Sequence, residues 1–230
     1  MSVAEEFENI LKTGRTILNV QESKRILEIV GFPINQSFFS HSCEEALESA
    51  KDIGFPCVLK LVSPEIIHKT EVGGVSVVYS SEEVISLCNK MTKNVLDLFP
   101  DARIKGYLVE EMITEGFEVI IGGIDDQSFG KTLMFGIGGI FVELYKDVSF
   151  RLIPIDKRDA EMMIRELRGA KIFDGYRGKP KVNQEALVDL LLKTSNLIVD
   201  YPIIKEIDLN PVFISDTATV VDARIVLSNT

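Results

Sequence analysis

The chain has 230 residues, with 25 basic against 35 acidic side chains and a formal net charge of -10, a balance that argues against wrapping a nucleic acid or lying on an anionic membrane. At roughly 150 residues per domain the length fits one large domain or two closely packed subdomains, and about 70% of the unfolded surface can be buried, enough for a core without staples. Three widely spaced cysteines (Cys43, Cys57, Cys88), an acidic start at Glu5-Glu6 and no apolar run near the ~20 residues of a membrane span predict a cytoplasmic chain with buried thiols.

In chain order, apolar spacing predicts helices over 5–18 and 23–30, the second stopped by Gly31. Ser42 with Glu45 reads as a capping box opening a helix over 43–53, and Ser80 with Glu83 as a second one opening a helix over 82–98. Between them, Cys57–Val62 reads as an apolar strand interrupted by Lys60. Residues 106–143 hold eight of the sixteen glycines, set among extended stretches at 107–112, 117–121, 132–135 and 140–144. Glycine there implies tight turns and close backbone approach. Helices near 157–167 and 184–199 follow, then strands at 203–209 and 219–226. Strands and helices alternate without a regular repeat, which makes the fold class α+β (mixed α/β). The predicted boundary near Pro100–Gly106 gives two subdomains, 1–104 and 105–230.

Two phosphate-binding motifs fail. Gly130-Lys131-Thr132 lacks the glycine five residues earlier, where Asp125 stands, and Gly136-Ile137-Gly138-Gly139 opens no helix. Four segments carry possible chemistry. Lys60, in an apolar strand, either lies on an exposed edge or meets an anion such as a nucleotide phosphate. The loop from Ser63 to Val75 ends in Gly73-Gly74, whose backbone amides can face an anion, and holds His68, a possible nucleophile near neutral pH. Glu110 and Glu111 point to opposite faces of one strand, so at most one faces a given pocket, and a solvated hairpin edge is the bland alternative. Finally, Glu206, Asp208 and Asn210 share one strand face, with Asp222 on a neighbouring strand. Oxygen ligands in such a row suit Mg2+, against the alternative of a wet sheet face.

These segments resemble one family. Val58-Leu59-Lys60, His68–Val75, Val109–Ile113, Gly136–Glu143 and Asp147–Arg151 are similar, in order and at fitting spacing, to the β subunit of ADP-forming acetate–CoA ligases. Glu206–Pro211 with Asp222-Ala223-Arg224 resembles both that family and the succinyl-CoA synthetases. The resemblance covers about residues 20–228. It implies an ATP-grasp fold, in which two α+β subdomains clasp ATP or ADP. It also implies that Lys60 and Arg151 contact phosphates, that Glu110, Glu111, Met112 and Ile113 form the hinge against adenine, and that Glu118 meets the ribose. Asp208, Asn210 and Asp222 match the Mg2+ positions, and His68 matches a transiently phosphorylated histidine. The implied reaction is acyl-CoA + ADP + phosphate ⇌ carboxylic acid + CoA + ATP. The chain has no recognisable CoA-binding unit, so the resemblance further implies a CoA-binding α subunit, in an α2β2 assembly. The alternatives are another carboxylate-activating ATP-grasp ligase, which needs no His68, and a nucleotide-sensing subunit without chemistry.

Overall fold

The computed structural model describes residues 2–66, 72–139, 146–176 and 180–228. Contacts divide the chain into two units: Asn35–Ile113, and Met1–Ile34 together with Thr114–Thr230. No helix among the described residues is long and apolar enough to cross a membrane.

The chain begins with helices α1 (Val3–Lys12) and α2 (Val20–Ile29). Helix α1 stops well short of residue 18. Gly14, at φ 75°, turns the chain out of it, and the Leu18 amide donates to Ile225 O while Thr16 O accepts from Leu227. Helix α2 starts earlier than its apolar spacing predicts, because Asn19 and Glu22 form a reciprocal capping box at 2.9 and 2.8 Å. Both helices bury Val3, Phe7, Ile10, Ile26 and Leu27 in the core of the larger unit.

The smaller unit holds β1 (Ser37–Ser40), α3 (Cys43–Ile53), β2 (Cys57–Val62), β3 (Val75–Val78), α4 (Ser81–Leu98) and β4 (Gly106–Glu111). Its sheet runs in the order β1-β4-β2-β3, every pair antiparallel. Alternation along β2 buries Cys57, Leu59 and Leu61 with Ala46 and Ala50 of α3 and Val84, Cys88, Met91 and Val95 of α4. Val58, Lys60 and Val62 therefore face the other way. The Ser42 hydroxyl accepts from Glu45 N at 3.1 Å, as the capping pattern predicts. Ser80 makes no such bond. Glu83 instead reaches one residue further back, to Tyr79 N at 3.1 Å, which satisfies a different amide.

The larger unit continues with β5 (Phe117–Asp126), β6 (Gly130–Ile137), β7 (Val148–Leu152), α5 (Lys157–Arg165), a short 3-10 turn at Ala170–Asp174, α6 (Gln184–Asp200), β8 (Ile204–Ile214), β9 (Ala218–Val220) and β10 (Ala223–Leu227). The strands order as β10-β8-β5-β6-β7, with β9 beside β8. The strand predicted over 140–144 lies outside the described residues. The single strand predicted over 219–226 is two, and the break between them is occupied by Val221 and Asp222. Glycine in β5 serves close packing as well as turning: a Cβ on Gly123 would meet the Ile198 side chain of α6 and come within 2.9 Å of Ile207.

The contacts correct the division at 104/105. β4 is an inner strand of the smaller sheet, hydrogen-bonded to both β1 and β2, so residues 106–113 belong with the first sheet. The N-terminal helices pack on the second sheet's core and belong there.

Candidate active site

In the smaller unit, antiparallel register sets Lys60 opposite Leu108 and Val58 opposite Glu110, which puts Lys60 and Glu110 on one face, diagonal to each other. Their side chains form an ion pair with Nζ 2.5 Å from Oε2, at 15% and 1% exposure. Lysine in an apolar strand is thus tolerated because a buried carboxylate meets it. Glu111 turns to the opposite face, opposite Cys57, and accepts from Gln36 N at 3.2 Å. Met112 and Ile113 follow the strand, half-buried, as the unit's last residues.

His68, with residues 67–71, lies outside the described residues. The chain on either side is well anchored. Glu65 accepts from Ser63 Oγ at 2.9 Å, Arg103 N at 3.1 Å and Arg103 Nε at 2.8 Å, and the Arg103 bonds, with Ser63 adding to them, hold its carboxyl down at about 2. On the far side Gly73 adopts φ 68°, and Gly74 O accepts from Leu61 N at 2.8 Å. Both glycines thus have a place in the turn into β3. The Glu65–Arg103 clamp is a feature that motif reading missed, because its partners stand 38 residues apart.

In the larger unit, one face of the sheet collects most of the remaining candidates. Val119 and Ile121 point into the core, so Glu118, Ile120 and Gly122 point outward. Gly122 pairs with Asp208 and Asp208 with Arg224, which continues this face across β8 and β10. Between Leu209 opposite Ile121 and Val212 opposite Val119, β8 has two residues where β5 has one. This bulge holds Asn210 and Pro211, and bulges re-aim side chains at such places. The loosened strand bonds to the break between β9 and β10: Asn210 N donates to Asp222 O at 3.1 Å and Val221 N to Pro211 O at 3.0 Å. Asp208, Asn210 and Asp222 are thereby neighbours. Burial pushes the Asp208 carboxyl above its ordinary range; Glu206 and Asp222 add to this and Arg224 opposes it. Among the described residues no group of three or more His, Cys, Asp or Glu is arranged to hold a metal; the set here is two carboxylates and a carboxamide.

Glu118 has a structural task. Its Oε1 accepts from Gly139 N at 3.2 Å, and its backbone carbonyl accepts from Gly138 N at 2.7 Å. It therefore pins the glycine turn that leaves β6. Arg151 lies apart from this group. Its register partner is Leu133, a core residue, so it sits on the helix-covered face, opposite to Asp208. There its guanidinium is 2.6 Å from Glu166 and 3.9 Å from Asp159, and the Glu166 bond raises it further above the usual arginine range. On this face it is engaged by acidic side chains of its own unit.

A family model for the ATP-grasp domain matches residues 9–227. The chain is 44% identical over 225 residues to the subunit beta of acetate–CoA ligase (ADP-forming) II of Pyrococcus furiosus, spanning 96% of this chain and 95% of that one. The chain belongs to the ATP-grasp family, among the β subunits of ADP-forming acetate–CoA ligases. This ATP-grasp chain is also similar to the dinucleotide-forming acetyl-coenzyme A synthetase 1 of Ca. Korarchaeum cryptofilum in complex with coenzyme A and Ca-AMPCP, at 42% identity and a TM-score of 0.94 over 99% of this chain and 100% of that chain. A structure of the same synthetase with coenzyme A and Mg-AMPPCP, whose phosphohistidine segment points towards the nucleotide-binding site, matches at 39% identity and a TM-score of 0.86, over 99% of this chain and 100% of that chain.

Proposed function

We propose that this ATP-grasp chain is the nucleotide-binding subunit of an ADP-forming acyl-CoA ligase, which with a CoA-binding partner interconverts acyl-CoA, ADP and phosphate with carboxylic acid, CoA and ATP. What carries the assignment is the clustering of Asp208, Asn210 and Asp222 at the β8 bulge in a chain that matches a β subunit over 95% of its length. The donor set fits Mg2+, a hard cation that takes few protein oxygens and fills its shell from phosphates and water. The half-buried Asp208 carboxyl, pushed towards its protonated form, is where a divalent cation takes the place of a proton. Bound there, Mg2+ would neutralise charge on the nucleotide's phosphates.

Lys60 contacts a phosphate while Glu110 holds its ammonium in place. The strand end from Glu110 through Glu111 and Met112 to Ile113 lies against adenine, Glu118 meets the ribose, and Gly73 and Gly74 offer backbone amides to an anion. His68 accepts a phosphoryl group from a phosphohistidine of the partner, one P–N bond breaking as the other forms. The group then passes to ADP: the P–N bond to His68 breaks as a β-phosphate oxygen forms the new P–O bond, leaving a neutral imidazole. The partner is a CoA-binding α subunit in an α2β2 assembly, and the compartment is the cytoplasm.

Incubation of the chain with radiolabelled ATP and Mg2+ tests the relay. Wild-type chain should acquire acid-labile, base-stable phosphate, and His68→Ala should not. Label retained by His68→Ala overturns the role of His68. No label on wild type, with nucleotide binding intact, favours a sensing subunit or a ligase without the relay.

A further inference from the structure

One cluster lies wholly inside the smaller unit and takes no part in the proposed nucleotide chemistry. Cys43 opens α3 and is partly exposed; Cys88 sits midway along α4 and is fully buried. Cys43 shares a helix face with Ala46 and Ala50, both buried, so small side chains let α4 approach α3. The Cys43 thiol donates to Tyr107 Oη at 3.6 Å and to Asn89 Oδ1, beside Cys88, at 3.8 Å. The same Tyr107 hydroxyl donates to the Cys88 carbonyl at 3.4 Å and shares a 2.5 Å bond with Thr92 Oγ1. The Cys43 thiol and the Cys88 backbone carbonyl therefore meet at one buried phenol. Burial, then the adjoining Cys43 thiol to which it hydrogen-bonds, push the Cys88 thiol up, and burial pushes the Tyr107 phenol up to about 12. Cys57 is the internal contrast: it is equally buried, and burial alone raises it, with no thiol beside it.

We propose that Cys43 and Cys88 form a redox pair, a modification site at which a hydroperoxide closes an intrachain disulfide between α3 and α4. Partial exposure makes Cys43 the thiol that a hydroperoxide can reach, and adjacency, despite its burial, makes Cys88 the resolving one. In the first step the Cys43 sulfur takes the terminal oxygen of the hydroperoxide: the O–O bond breaks, an alcohol or water leaves, and Cys43 becomes a sulfenic acid. In the second the Cys88 sulfur displaces that oxygen as water, the S–H proton going with it, and an S–S bond forms. Two thiols give up two electrons, and the hydroperoxide takes both. Low-molecular-weight dithiols reverse the change by thiol–disulfide exchange. While it lasts, the bridge closes a long loop that contains β2, β3 and the segment bearing His68, and ties both helices to each other above the sheet that carries Lys60.

The test is peptide mapping of the full-length chain after a stoichiometric pulse of hydrogen peroxide, with alkylation of the remaining thiols. The expected result is a Cys43–Cys88 cross-linked peptide, a mass lower by two hydrogens, Cys57 alkylated as before, and full recovery with dithiothreitol. Cys57→Ser should behave as wild type, and Cys43→Ser should lose the cross-link. Since Cys88→Ser buries a hydroxyl and can destabilise the core, Cys88→Ala serves as the second variant, and in it Cys43 should stop at the sulfenic acid, trapped by dimedone. A wild-type chain that keeps three alkylatable thiols, bridges through Cys57 or cross-links only between chains overturns the proposal.

Discussion

Asp208 pairs across the sheet with Arg224 on one side and Gly122 on the other, half-buried among Glu206 and Asp222. Its carboxyl is raised in the fold, so folding favours the protonated form. The sign follows from linkage: where the folded value exceeds the unfolded one, the ionised group costs stability, and the cost grows as pH rises from the ordinary aspartate range, about 3.9, through the raised value. A bound cation removes that cost. Without metal, Asp208→Asn should therefore melt above wild type at pH 7.5, and the gap should narrow as pH falls towards about 4. Added Mg-nucleotide should raise the wild-type midpoint and leave that of Asp208→Asn unmoved. Melting curves at both pH values, with and without Mg-nucleotide, check both halves; a gap independent of pH, or equal metal shifts, would show that Asp208 is not an ionised ligand. Period-two alternation in Glu206–Asn210 made this residue legible from sequence. The bulge that brings Asn210 onto Asp222 was not, because it depends on which residue of β5 lies opposite.

At the scale of elements, glycine shows what pattern reading can and cannot reach. The run of glycines over 106–143 reads as tight turns and close backbone approach, and Gly122 and Gly123 are of the second kind: they lie inside β5, where side chains of Met134, Ile198 and Ile207 occupy the space. Which neighbour fills that space is a tertiary fact. Gly138 is a sharper case. A Cβ there would stand 2.6 Å from Glu118 Cγ and 3.0 Å from the Glu118 backbone carbon, so the turn after β6 and the end of β5 close only over glycine. Gly138→Ala should cost about 1–3 kcal/mol by urea denaturation, the usual range for overpacking. In a Glu118→Ala background the extra loss should be smaller, because the nearer clash is gone and the backbone one stays; strictly additive losses would mean that the turn yields without pressing on Glu118. The same distinction explains Arg151. Its motif neighbours resemble the family well, but the one-residue alternation of β7 decides which face it takes, and register set it against Leu133 and the acids of α5.

For the whole molecule, chain order and spatial grouping part company. Composition and patterning brought out two α+β parts, and the resemblance of five segments in order implied the ATP-grasp family, since together they constrain a fold more than any one does. They could not show that the chain enters the smaller unit at Asn35 and leaves it at Ile113, returning to a core already begun by α1 and α2. A cut at 104/105 looks natural because a long helix ends there and strands begin. It would remove β4, which lies between β1 and β2 and supplies Tyr107 and Val109 to the core as well as Glu110 to Lys60. Losing this inner strand unpairs β1, strips β2 of one of its two neighbours and leaves the Lys60 ammonium without the Glu110 carboxylate, a far larger loss than trimming an edge. A fragment spanning 35–113 should accordingly fold with a cooperative thermal transition, small though it is, and a fragment spanning 35–104 should show neither that transition nor native-like circular dichroism. Equal cooperativity in the two would place the boundary back at residue 104 and make β4 dispensable to the sheet it now centres.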